Sequence, residues 1–151
     1  MAFEHLWQRV VEFPEVDSAG IVHFSNYFRY MENAEHDFFR VLGLTIHDPG
    51  SASRWPRASA NMDFVGPLRF EDRVAVHLMV ERIGRSSLHY RCRIFNGDEP
   101  VLTAAHGSLS TVHCILEDGR LKAVPIAERF LERLEAAPAE VLTRVLAPHK
   151  A

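Results

Sequence analysis

The sequence is short of cysteine, of glycine and proline, of long apolar runs and of net charge, and each shortage removes a class of protein. Two cysteines, Cys92 and Cys114, are too few for the disulfide framework of a small secreted domain, and neither stands in a CxxC pair. They read as reduced, buried thiols of a cytoplasmic protein. Eight glycines and eight prolines exclude a collagen-like or low-complexity chain. No stretch approaches the roughly 20 apolar residues that a membrane-spanning helix needs. The segment Met1-Ala2-Phe3-Glu4-His5 lacks the basic start and apolar centre of a secretion signal. A formal net charge of −3 gives no overall pull toward nucleic acid or an anionic membrane. No repeat, polar linker or block of five like charges interrupts the chain.

What is present is a globular composition. A hydrophobic fraction of 47% excludes disorder, and 151 residues fit one domain spanning 1–151. Such a chain buries about 68–70% of its unfolded surface and needs no disulfide or metal staple.

Leu6 to Phe13 reads as a first strand closed by Pro14, and Val16 to Val22 as a turn around Gly20. From Ser25 to Leu42 the apolar residues Tyr27, Met31, Ala34, Phe38 and Val41 recur at steps of three or four, which predicts a helix. Ser25 or Asn26 is the expected N-cap and Gly43 the left-handed C-cap. Thr45 to Arg57 is a loop anchored by Trp55. Strands are expected at Ala58–Phe64, Val74–Val80, Leu88–Ile94 and, long and bent, Val101–Ile115. Val74, Val76, Leu78 and Val80 share one face with Leu88, Tyr90, Cys92 and Ile94. His89, Arg91 and Arg93 take the opposite, wetter face, either toward water or toward another chain. Glu117 to Arg120 is a turn, Pro125 opens a short helix, and Ala139 to Leu146 forms a terminal helical piece. One long helix followed by antiparallel strands gives an α+β domain whose sheet covers that helix.

Chemistry concentrates at Asp17-Ser18-Ala19-Gly20-Ile21-Val22-His23-Phe24-Ser25-Asn26-Tyr27. A carboxylate stands just before a helix N-terminus, whose first N–H groups lack internal partners and carry the positive end of the dipole. Those amides can donate to a carbonyl oxygen that gains charge during acyl transfer. The carboxylate is then a nucleophile or a general base for water. A lone Asp at such a position is also an ordinary turn or capping residue. Nine histidines show no HExxH or H-x3–5-H spacing, so no metal site is expected. His77, His89 and His106 read as hydrogen-bonded or exposed strand residues.

DSAGIVHFSNYFRYMENAEHDFF resembles the opening of the central helix in 4-hydroxybenzoyl-CoA thioesterase-like proteins of the hotdog fold, where D-x-A-G-I-V-x-(aromatic)-x-N-Y recurs. Pro67 to Asp72, Ile83 to Ser87 and Val124-Pro125-Ile126 extend the likeness over nearly the whole chain. The resemblance implies a five-stranded antiparallel sheet wrapped around one long helix, with a short C-terminal helix, and an acyl-CoA thioesterase acting in the cytoplasm. It matches Asp17 to the catalytic carboxylate and Phe24 to the residue whose backbone N–H polarises the thioester. Gly20 then supplies a backbone conformation or a close approach that a Cβ would block. His23 either touches substrate or caps the helix, while Asn26 and Tyr27 support the site. Arg82, Arg85 and Ser86 meet the CoA phosphates. Glu32 and Glu35 read as solvated or interface residues, although a helix glutamate acts in another hotdog branch and gives Glu32 a conceivable role. Phe24, Phe28, Trp55 and Phe64 offer room for an aromatic or medium-length acyl group. No cofactor is implied beyond the coenzyme A of the substrate. A homodimer paired edge to edge, or a tetramer, is the expected partner state, with no nucleic acid and no membrane. Two other hotdog activities remain open. A hydratase or dehydratase would pair Asp17 with His23, although their D-x5-H spacing is not the hydratase D-x4-H and its Asn-Pro is missing. A non-catalytic acyl-CoA-binding module is the other.

Overall fold

A computed structural model describes residues 1–147. The chain runs β1 (Glu4–Val10), a 3-10 turn (Phe13–Glu15), α1 (Phe24–Val41), β2 (Ser53–Arg54), β3 (Arg57–Phe64), β4 (Arg73–Ile83), β5 (Ser87–Asn96), β6 (Thr103–Val112), β7 (Cys114–Glu117), β8 (Arg120–Ala123), α2 (Glu128–Leu131) and α3 (Ala139–Leu146). Five strands form one antiparallel sheet in the order β1-β4-β5-β6-β3. The alternating apolar positions of β4 and β5 are fully buried and face α1, whose Tyr27, Tyr30, Met31, Ala34, Phe38 and Phe39 complete the core. Val41, expected on that stripe, is instead exposed because the helix ends there and leaves the sheet. Beyond it Gly43, at φ 68, sends its N–H to the Arg40 carbonyl while the Leu44 N–H reaches the Phe39 carbonyl, which is the expected left-handed termination.

Local signals misplace several boundaries. The first strand ends at Val10, since Phe13-Pro14-Glu15 closes into a 3-10 turn. The loop before β3 contains a strand, β2, while the turn expected at Glu117–Arg120 is present and joins two strands, β7 and β8. β2, β7 and β8 form a second, three-stranded sheet at the C-terminal end of α1. The expected long last strand breaks at His113. The ring of His113 bridges the Ser53 hydroxyl and the Pro125 carbonyl, each at 2.8 Å, and packs on Trp55. Arg93 does not face water. It is 7% exposed, donates to Thr103 Oγ1 and the Pro100 carbonyl, and stacks on Phe95. Both cysteines are free and buried. Among the described residues no helix is long and apolar enough to cross a membrane.

Candidate active site

Residues 16–22 form a tight hairpin, not a simple turn. Val16 pairs with Val22, the Asp17 N–H donates to the Ile21 carbonyl, and the Gly20 N–H returns to the Asp17 carbonyl. Gly20 takes φ 77, the left-handed residue that closes a three-residue hairpin loop. Nothing lies within 4 Å of the position its Cβ would occupy. Of the two reasons for a glycine here, conformation is the one that applies. Asp17 Oδ1 accepts the Ala19 N–H at 2.8 Å, which stiffens the loop and leaves Oδ2 without a partner among the described residues. The Asp17 side chain is half-buried, while Ser18, Ala19 and Gly20 are exposed.

The hairpin is clipped to the start of α1 through one carbonyl. Glu15 O accepts both the His23 N–H and the Asn26 side-chain amide, each at 2.9 Å. Asn26 is therefore a brace between the loop and the helix. Val22 is fixed from the other side by the Leu68 carbonyl. The Glu15 carboxylate is held in turn by Arg9 at 2.5 Å and by the Glu12 N–H. Glu15 and Arg9 escape any sequence pattern, because 6 residues and a strand end separate two side chains that meet only in the fold.

The N-cap of α1 is His23 rather than Ser25 or Asn26. Its Nδ1 lies 2.8 Å from Ser25 Oγ and accepts the Ser25 N–H. The Asn26 N–H returns to the His23 carbonyl. The Phe24 N–H, at the first helical position, has no acceptor among the described residues. Such an amide carries the positive helix end and points outward. The Phe24 ring is 59% exposed and meets Phe64 edge-on, with Tyr27 buried behind Phe64. Burial pushes the Tyr27 hydroxyl above the usual phenol range, so it stays protonated beside the Leu68 backbone. Phe28 is half-buried against the core. Trp55 is not part of this cluster: it lies at the other end of α1 against Phe39, Phe130 and His113.

Arg82, Arg85 and Ser86 stand at the β4–β5 hairpin, and within one chain they are remote from Asp17. The hairpin caps one end of β5, while the Asp17 loop bridges through Ile21 to Arg69, just ahead of the β4 start that pairs with the other end of β5. β5 is 10 residues long, roughly 30 Å at about 3.3 Å per residue. Arg85 and Ser86 use their carbonyls to hold Ile126 and His113. A cleft of about 740 Å³ lies closer, lined by Val65 to Arg69, Asp72, Asn96, Glu99, Val101 to Ala104 and His106. It shares Leu68 and Arg69 with the wall that pins the Asp17 hairpin, and its volume suits a small ligand.

The model of the family described as the thioesterase superfamily matches residues 19–103. A 1,4-dihydroxy-2-naphthoyl-CoA hydrolase of Thermosynechococcus vestitus is 30% identical over 141 residues, 91% of this chain and 93% of its own. The chain belongs to the thioesterase superfamily. A 4-hydroxybenzoyl-CoA thioesterase of Pseudomonas sp. is 26% identical over 140 residues, 87% of this chain and 98% of its own. A crystal structure of an Aquifex aeolicus protein superimposes with a TM-score of 0.77 at 30% identity, covering 87% of this chain and 99% of that one. The sheet wrapped on α1 is the hotdog fold of these thioesterases, and the protein is a hydrolase of the thioesterase class.

Proposed function

We propose that this thioesterase hydrolyses the thioester of a small aromatic or short- to medium-chain acyl-CoA. Asp17 is the nucleophile or the general base, and the Phe24 N–H is the oxyanion donor. The observation that carries this reading is the clip at Glu15, which fixes a half-buried carboxylate loop against the free first amide of α1. The naphthoyl-CoA and benzoyl-CoA hydrolases among its relatives support a CoA thioester, and the exposed Phe24–Phe64 pair supports an apolar acyl group.

A carboxylate-activated water, or the carboxylate itself, adds to the thioester carbon. The carbonyl electrons move to oxygen, where the Phe24 amide and the helix dipole stabilise them. The C–S bond then breaks and CoA leaves as a thiolate that takes up a proton. If Asp17 attacks directly, the resulting mixed anhydride is hydrolysed by water. No resident cofactor enters this sequence.

The site is open on one chain, and β3 is a long edge strand with most of its residues exposed. An unpaired edge of that length invites another strand. A second copy pairing antiparallel along β3 closes the sheet and brings the partner's hairpin end toward Asp17. On this reading the protein is a homodimer with sites at the interface, and Arg82, Arg85 and Ser86 serve the substrate held by the opposite chain. His23 and Asn26 shape the helix end, and Tyr27 backs it.

Thiol release from a panel of aryl- and acyl-CoAs tests the reading. Asp17→Asn keeps an Oδ1 that can accept the Ala19 N–H, so the loop stays formed, while kcat falls at least about 10²-fold. Undiminished turnover overturns the assignment. Hydration of an enoyl-CoA, or saturable binding without thiol release, moves the protein to the hydratase or binding-module class.

A further inference from the structure

A β-bulge in β4 decides where Arg82 points. Val80 pairs with Tyr90, but the next pair is Arg82 with His89, leaving Glu81 as the extra residue. Strict alternation would turn Arg82 toward the core face that Val80 and Leu88 occupy. The extra residue re-aims it to the outer face, opposite His89, as bulges do. There Arg82 Nη2 lies 2.6 Å from His89 Nε2, and Ser87 Oγ lies 3.0 Å from the same nitrogen. A guanidinium can only donate, so Nε2 is the unprotonated nitrogen and Nδ1 carries the hydrogen. That hydrogen is directed at Ser110 Oγ, 2.8 Å away on β6. Burial and the charge of Arg82 hold His89 below the ordinary imidazole range, which keeps its lone pair available. Gly84 at the hairpin completes the arrangement. A Cβ there would sit 2.6 Å from Ser87 Oγ and displace that hydroxyl from His89, while Arg82 Nη1, at 3.7 Å, lies over the hairpin in ordinary contact range.

We propose that His89, braced by Ser110, is a positioning residue that holds Arg82 over the β4–β5 hairpin to grip the phosphates of a CoA thioester. The inference rests on the acyl-CoA reading above. An arginine searching many rotamers loses conformational entropy when it binds an anion. One already fixed by a neutral acceptor has lost it beforehand and keeps its remaining donors free for phosphate oxygens. The readout is therefore KM for substrates that carry the nucleotide end, rather than the chemical step.

Thiol release from benzoyl-CoA and from benzoyl-pantetheine, which lacks the nucleotide, gives both parameters. In Arg82→Gln and in His89→Phe, KM for the CoA thioester rises about tenfold, the scale of one charge-assisted hydrogen bond. KM for the pantetheine thioester stays in place, so the preference between the two shrinks by the same factor. His89→Gln, whose amide oxygen can accept from Arg82, recovers most of it. Unchanged KM in either Arg82→Gln or His89→Phe, or an equal rise on both substrates, overturns the proposal. A wild-type enzyme that cleaves neither thioester overturns the acyl-CoA reading itself, and one that cleaves both with equal KM overturns the phosphate grip alone.

Discussion

Glu35 Oε2, on the sheet-facing side of α1, meets Arg57 Nη1, on the first residue of edge strand β3, at 2.5 Å. The glutamate is 1% exposed, whereas Arg57 keeps part of its surface and also reaches the exposed Glu32 at 3.2 Å. Tyr90, fully buried, lies beside the pair. The helix is thus tied to the strand that presents the open edge of the sheet.

Burial pushes the Glu35 carboxyl up to about 7, with Arg57 pulling partly against it. A raised acid binds its proton more tightly in the folded chain than in the unfolded one, where it titrates near 4.5. Its favourable contribution is complete below the unfolded value and is lost as pH climbs through about 7. Relative to Glu35→Gln, the wild-type protein therefore loses stability between those limits, by at most about 1.4 kcal/mol per pH unit. Urea midpoints at several pH values across that window measure it, and parallel curves for the two proteins contradict it.

Arg57→Ala takes away the cation that pulls Glu35 down, so the buried carboxyl titrates higher still and holds its proton at neutral pH. It is expected to destabilise the fold by about 1–2 kcal/mol, below the range for a stranded buried charge because the acid neutralises instead. The loss should be smaller in a Glu35→Gln background, as a double-mutant cycle by denaturant unfolding will register.

Gly20→Ala tests the hairpin by conformation alone. No atom would clash with the new methyl group, so the cost is that of a left-handed alanine, about 1–2 kcal/mol. We expect a lowered Tm together with reduced kcat, since relaxing the loop displaces Asp17. A full-activity variant with the same Tm would mean that the loop geometry is unimportant.

Phe24 separates backbone from side chain. Phe24→Ala removes the exposed ring and keeps the amide, so KM for aromatic substrates should rise while kcat changes little. Phe24→Pro removes the N–H at the first helical position, where proline is well tolerated, and His23 already has the extended backbone that proline requires of its predecessor. Its kcat is expected to fall about 10²- to 10³-fold with helix content preserved by circular dichroism. Equal kcat in the two variants removes the amide from the mechanism.

The sequence by itself determined the parts whose signal is local. Alternation in β4 and β5, the stripe from Tyr27 to Phe38, the stop at Gly43 and the Asp17–Gly20 loop all follow from periodicity and turn chemistry, so the α+β class and the candidate carboxylate were legible. Tertiary structure decided what depends on residues distant in the chain. It made β2, β7 and β8 a sheet, since strands of two to four residues carry too little pattern to announce themselves. It chose His23 as the cap and moved Trp55 away from the site. It also buried Glu35, which reads as solvated on a helix face, because an arginine from β3 and a tyrosine from β5 close over it. It turned Arg82 outward through one unpaired residue. A short range of sequence fixes the conformation of a segment, but which side chains meet, and with what charge, is set by the register of strands that only the packed chain possesses.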